Sequence, residues 1–485
     1  MLIILSIALS SVSLVQAPAK AARSKRFYLK RFRRQNRIKV KNKRLRTVLD
    51  EKYHTERMMA DQIIVKFKKG FGKSDVDRFV LKHDLQVVKR LTKRHFVLSS
   101  LKASKLMELL NNQEDYKELA VEKIDIDEYR EILPDARRSR KRRVKPYSLS
   151  AQWHLYNEGK DSVSKPGADI NVQAAWESTK GQGVKVAVID TGIDIKHPDI
   201  NFAKGKVGRG YSTITKKYNA KAPFYTNENH ATAVAGIIAA KDDKQGSIGV
   251  APEAQIIPIR LIGGTAVSAS EIYDAHMTAV RLGAQIINNS WGSFNSNLKE
   301  GELLELTDTE KELYHYLATE ARGGKGVTVV FAAGNSGSSN FNGHPEARNE
   351  NTLTVGATDS MDRRARYSAY GPQLDLVACG GQEKGILTTD RRDSRRSAFP
   401  LGYAKGSYTD TFTGTSAAAP MVAGVAALVL SINPELSAED VKEILKQSAR
   451  ADVEGKYSFN ASGRNNEIGY GMLDAGAAVE LAKTW

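Results

Sequence analysis

Gly414-Thr415-Ser416-Ala417-Ala418-Ala419-Pro420 is the stretch whose reading decides the fold. Small apolar residues continue from Met421 to Leu430 without a polar stripe. A helix apolar on all sides is one buried in a core. Ser416 lies at its start, and Pro420 sits near the first turn, where a missing N–H costs least. A helix start offers unpaired N–H groups and a positive dipole end, both suited to an oxyanion. The same residues also describe an ordinary core helix with a hydroxyl cap, so partners elsewhere decide the reading.

Outward from this helix, strand and helix patterns alternate. Residues 184–189 form a continuous apolar strand ending at Asp190, and His230 opens an apolar helix reaching residue 240. Strands are predicted at 254–259, 284–289, 327–333, 352–357 and 374–378. Helices are predicted at 268–282, 307–322 and 434–449, the last capped by Ser437. This alternation predicts an α/β fold: a doubly wound, mainly parallel sheet with helices on both faces. Sites in such sheets form at the C-terminal strand ends. Asp190 and Asn335 follow strands, while His230 and Ser416 begin helices, so all four converge on one edge. A serine becomes a nucleophile when a histidine takes its proton, and the histidine needs a carboxylate to orient it. Acyl transfer also needs donors aimed at the oxyanion.

Val186-Ala187-Val188-Ile189-Asp190-Thr191-Gly192, His230-Ala231-Thr232-Ala233-Val234-Ala235-Gly236 and the Ser416 stretch resemble the three signatures of the subtilisin-like serine proteases, in that family's chain order. Ala332-Ala333-Gly334-Asn335-Ser336-Gly337 resembles the family's oxyanion-hole segment, and Gly469-Tyr470-Gly471-Met472-Leu473-Asp474-Ala475 its closing motif. The resemblance implies a secreted serine endopeptidase. Ser416 would be the nucleophile, His230 the general base and then acid, and Asp190 the group orienting it. Asn335 and the Ser416 N–H would form the oxyanion hole. Extended protein or peptide substrates would lie along Ser290-Trp291-Gly292 by strand addition.

Ser290-Trp291-Gly292 and Gln152-Trp153-His154-Leu155 also resemble the kexin-type branch, which cleaves after basic residues. The acidic pocket positions of that branch fall at Asn295 and Asn342, beside Gly343, so the pocket does not support basic specificity. The residues that follow the closing motif leave no room for that branch's β-sandwich. Ala231 stands where the family usually has glycine, and one methyl must fit beside the imidazole. The resemblance further implies a structural calcium site. Asp199, Asp243 and Gln245 would give side-chain oxygens and Lys241 and Ser247 carbonyls, since calcium takes 6–8 oxygens.

The N-terminal part has another character. Residues 1–19 read as a signal peptide, with Ala17-Pro18-Ala19 as the cleavage pattern. Residues 20–60 read as a basic arm without structure. Every charged residue from Lys20 to Arg46 is cationic, which accounts for most of the net charge of +18. Residues 61–134 show the order β-α-β-β-α-β, a split-βαβ (ferredoxin-like) α+β domain. It is similar to the subtilase pro-domain, which implies a folding chaperone and intramolecular inhibitor. Residues 135–146 form a basic processing linker around Arg137-Arg138-Ser139-Arg140-Lys141-Arg142-Arg143, and 147–485 the catalytic domain. No later stretch reads as a membrane span, and no nucleic-acid partner is needed. One cysteine, Cys379, excludes an intrachain disulfide. The alternative is a weakly active or inactive subtilase-fold protein that binds anionic surfaces through the arm.

Overall fold

The computed structural model describes residues 46–50, 55–100, 106, 109–110, 120–134, 149–223, 228–263, 266–294, 304–339, 344–392, 402–404, 406–451 and 456–485. In chain order the N-terminal strands are β1 (Arg46–Asp50), β2 (Thr55–Phe67), β3 (Gln86–Arg90), β4 (His95–Ser99) and β5 (Val121–Pro134), with helix α1 (Lys73–Lys82). There follow α2 (Val172–Trp176), β6 (Lys185–Thr191), α3 (Gly205–Arg209), β7 (Tyr211–Ser212), α4 (His230–Ala239), β8 (Gln255–Ile262) and β9 (Ala266–Ser268). Next are α5 (Ala269–Arg281), β10 (Ile286–Asn289), β11 (Trp291–Phe294), α6 (Asp308–Thr319), β12 (Thr328–Ala332) and β13 (Leu353–Thr358). The last elements are β14 (Leu376–Cys379), β15 (Ile386–Thr389), β16 (Tyr408–Phe412), α7 (Thr415–Ile432), α8 (Ala438–Gln447) and α9 (Ala475–Ala482).

The central sheet runs β14-β13-β12-β10-β6-β8-β7, and every neighbour pair in it is parallel. Side chains alternate across it, as a pleated strand requires. Val186 and Val188 of β6 face a core shared with α4, α7, α8 and α9. Ala187 and Ile189 face the other core, shared with α5 and α6. Both faces are therefore covered, which explains why these strands read as unbroken apolar runs. The predicted helices and sheet strands appear within a few residues of their expected bounds. The short strands β7, β9, β11, β15 and β16 did not announce themselves.

Helix α7 is buried from Thr415 to Leu430. A Cβ at Gly424 would stand 2.6 Å from Val250, so the small residues permit close packing. At 18 residues this helix reaches the length of a membrane span, contrary to the reading above. It is 89% buried inside the protein, as a core helix is.

The N-terminal strands make an antiparallel sheet in the order β5-β2-β4-β3, with β1 on the outer part of β2. Ile63, Val65 and Phe67 pack into its own core with Phe79, Leu98 and Ile124. Ile64, on the opposite face, packs with Val97 against Tyr273 and Leu313 of the larger core. The arm expected to lack structure as far as residue 60 instead has strand at Arg46–Asp50 and from Thr55 onward. Backbone pairing between Arg46–Asp50 and Thr55–Met59 supplies hydrogen bonds that charge composition does not reveal. Most of the second predicted helix, the leader and the 135–146 linker lie outside the described residues.

Candidate active site

Asp190 is fully buried near the end of β6. Its two carboxylate oxygens both stand 2.9 Å from Nδ1 of His230, the first residue of α4. Strand end and helix start thus meet as expected. His230 packs edge-on against Phe412, and its Nε2 is buried without a hydrogen-bond partner among the described residues. The Ser416 hydroxyl donates instead to the Ser290 carbonyl at 2.9 Å, and the Ser290 hydroxyl returns a bond to the Ser416 carbonyl at 3.1 Å. The carboxylate–imidazole contact is made and the hydroxyl–imidazole contact is not.

Asn335 lies three residues past β12. Its Oδ1 accepts from the Thr415 N–H at 3.0 Å and from the Thr415 hydroxyl at 3.2 Å. The amide is thereby oriented with its oxygen toward the first turn of α7. Ala231 is 2% exposed within the core, and its N–H donates to the Thr191 hydroxyl at 3.1 Å. The additional methyl is accommodated by packing.

An ionic frame that sequence reading missed joins the two loops carrying Asp190 and His230. Glu228 receives both Nε and Nη2 of Arg260 at 2.6 Å, and its Oε2 also accepts the Gly192 N–H at 2.7 Å. Both side chains are buried. Arg260 is the register partner of Asp190 across β6 and β8. A carboxylate two residues before a candidate histidine was the available signal.

The proposed substrate strand behaves differently in backbone and side chain. Trp291 is a core residue whose indole donates to the Ile189 carbonyl at 2.7 Å. Its backbone, as part of β11, pairs antiparallel with the end of β5, so that Trp291 faces Pro134 and Gly292 faces Leu133. Asn295, Asn342 and Gly343 lie outside the described residues.

The same strand β5 anchors the N-terminal domain to two helix starts. Asp127 accepts the Ser270 N–H and hydroxyl, both at 2.8 Å, at the start of α5. Asp125 accepts the Thr309 N–H at 2.7 Å and its hydroxyl at 2.6 Å, at the start of α6. Residues two apart on a strand share a face, so both carboxylates meet orphan helix donors and positive dipole ends. Lys66–Glu312 at 2.7 Å, Lys123–Asp308 and Lys89–Asp274 add cation-to-anion pairs in one direction across the interface.

Of the predicted calcium ligands, the structure joins Asp199 to Ser247. Asp199 Oδ2 accepts the Ser247 N–H at 3.1 Å and hydroxyl at 3.3 Å, while Oδ1 is buried without a hydrogen-bond partner among the described residues. Burial pushes this carboxyl up to about 6, with the Asp243 charge adding and the Ser247 N–H opposing. The Asp243 side chain accepts from the Gln245 N–H at 3.0 Å, while the Lys241 ammonium binds the Pro198 carbonyl at 2.6 Å. No cluster of three or more His, Cys, Asp or Glu suited to a metal occurs among the described residues. Gln152 clamps the same loop by donating to the Ile248 carbonyl and accepting its N–H, both at 2.8 Å.

A model of the subtilase family matches residues 181–471. This chain belongs to the subtilase family. It is 35% identical over 353 residues to a calcium-dependent protease of Nostoc sp. (strain PCC 7120), covering 69% of this chain and 52% of that protein. It is 33% identical over 351 residues to a kexin of Candida albicans, covering 70% and 34%. This subtilase thus spans about half the length of the Nostoc protein and about a third of the kexin. The crystal structure of fervidolysin from Fervidobacterium pennivorans, a keratinolytic enzyme related to subtilisin, superposes with a TM-score of 0.62. That match is at 24% identity and covers 90% of this chain and 62% of the other, a likeness of fold.

Proposed function

We propose that this subtilase is an exported serine endopeptidase made as a zymogen. The observation that carries the reading is the buried Asp190–His230 contact, together with Asn335 fixed on Thr415, the residue before Ser416. In the proposed reaction the Ser416 hydroxyl leaves the Ser290 carbonyl and turns to His230 Nε2. His230 takes the proton as Oγ attacks the substrate carbonyl, and Asp190 stabilises the resulting imidazolium. The Asn335 side-chain amide and the Ser416 N–H receive the oxyanion. His230 then returns the proton to the leaving amine, and water repeats the cycle on the acyl-enzyme.

The inhibitory role of residues 61–134, as a split-βαβ pro-domain, is supported by β5. Its end lies along β11, where an extended substrate would add as a strand. Calcium is proposed as a structural ion. The unpartnered buried oxygen of Asp199 and the all-oxygen donor set fit a hard cation. Asp199, Asp243, Gln245 and the Lys241 and Ser247 carbonyls would hold it, and its charge would relieve the buried carboxylate.

Fluorophosphonate labelling tests the reading. Labelling at Ser416 in the processed chain, absent in Ser416→Ala, is the expected result, together with loss of peptide hydrolysis by about 10⁴-fold or more. Ser416→Ala is also expected to remain uncut at full length. A processed chain that takes no label would instead favour the binding protein, for which the Ser416–Ser290 bond is the resting state.

A further inference from the structure

His344 is a side chain that neither the catalytic reading nor any sequence motif uses. It follows β12 and the Asn335 segment, and its ring stands between two glycines. A Cβ built on Gly292 would lie 1.7 Å from His344 Nδ1, and one built on Gly334 would lie 3.0 Å from Cε1 and Nε2. The imidazole therefore occupies the space that side chains at these two positions would fill. Nδ1 is buried and has no hydrogen-bond partner among the described residues.

The location of this ring matters because of what flanks it. Gly292 belongs to β11, the strand on which an extended peptide would add, and Gly334 immediately precedes Asn335. With the peptide along β11 and its scissile carbonyl at Asn335, as in the proposed reaction, the side chain attached to that carbonyl would lie between these two backbones. Glycine at both positions leaves an opening, and the His344 ring stands in it. Two residues on, the buried Glu346 carboxyl accepts from the Ser293 N–H at 3.4 Å and from the Ser293 hydroxyl.

We propose that His344 fills the pocket for the residue preceding the scissile bond and limits it to small side chains such as Ala or Ser. The inference rests on the protease reading above. A carboxylate gains no ion pair, because burial lowers the imidazole to about 4 and leaves it neutral near pH 7.

The test uses the full chain, allowed to process, with active sites counted by fluorophosphonate. Four tetrapeptide amides that differ only in Ala, Phe, Arg or Glu before the scissile bond are compared by kcat/KM. The wild type is expected to prefer Ala. His344→Gly should open the pocket and raise the Phe-to-Ala ratio by about 100-fold, the scale on which a few methylenes are discriminated. His344→Phe keeps the volume without the nitrogens and should retain the Ala preference; His344→Ser replaces the glycine variant if that one fails to fold. Preference of the wild type for Phe or Arg, or a ranking unchanged in the opened variants, overturns the proposal. So does a Glu preference that His344→Phe abolishes, which would make the ring a reader of acids. Labelling without cleavage of the Ala peptide also counts against the pocket. Failure of both labelling and cleavage removes the protease reading itself, and this inference with it.

Discussion

The N-terminal domain and the domain that carries Ser416 are held by different physics. Around Asp190 and His230 the polar contacts are buried and backed by two large cores. The N-terminal sheet has a small core of its own, and its attachment relies on strand edges, helix starts and partly exposed ion pairs. Contacts of the first kind are costly to break singly, because a buried partner is left uncompensated. The ion pairs of the second kind are individually weaker, since water competes for them, whereas the Asp127 bonds to Ser270 are themselves buried. If the N-terminal domain is released on maturation, as proposed above, it would need the second kind, while the site would need the first.

This contrast can be broken experimentally, starting where the effect should be greatest. Arg260→Met strands the Glu228 carboxylate between the Asp190 and His230 loops. Thermal unfolding of the Ser416→Ala chain should show a loss of about 3–5 kcal/mol, while the double variant Glu228→Gln/Arg260→Met should recover much of it. A single variant as stable as the parent would remove the frame from the account. Asn335→Ala should lower kcat by about 10²–10³-fold with little change in KM, measured on processed chain. An equal rise in KM would place Asn335 in ground-state binding instead.

Smaller effects belong to the interface. Asp127→Ala removes bonds to the Ser270 N–H and hydroxyl, a loss of about 1–3 kcal/mol. Hydrogen exchange in the Ser416→Ala background should speed up at the start of α5, while the amides around Asp190 stay protected. Loss of protection at both places would mean the two regions are one cooperative unit. The weakest expected effect concerns Asp199. Its folded-state pKa is raised, so its stabilising share is present below about pH 4 and is lost as pH rises through about 6. Calcium should therefore raise the melting temperature by several degrees near about pH 8 and by less near about pH 5. A calcium effect independent of pH would separate the ion from this carboxylate.

Much of this was legible in the chain because it is local. Strands that are buried on both faces must be apolar at every position, so residues 184–189 declared a parallel sheet before any coordinates. The alternating Ile63, Ile64 and Val65 likewise marked a strand that divides its side chains between two cores. Ser437 with Asp440 marked a helix start, because a cap and its partner lie three residues apart. Edge strand β9 was not legible, since its pairing partner β5 lies more than a hundred residues away.

The sequence alone determined which residue types stand at strand ends and helix starts, and hence the expectation that Asp190, His230, Asn335 and Ser416 share one edge, of which the Asp190–His230 and Asn335–Thr415 contacts are seen. That follows from hydrophobic period and chain order, which are properties of neighbouring residues. Only the tertiary structure decided that the Ser416 hydroxyl rests on the Ser290 carbonyl, that Arg260 neutralises Glu228, and that His344 stands between Gly292 and Gly334. These are meetings of distant segments, set by how whole layers pack, and no local pattern encodes the distance between them.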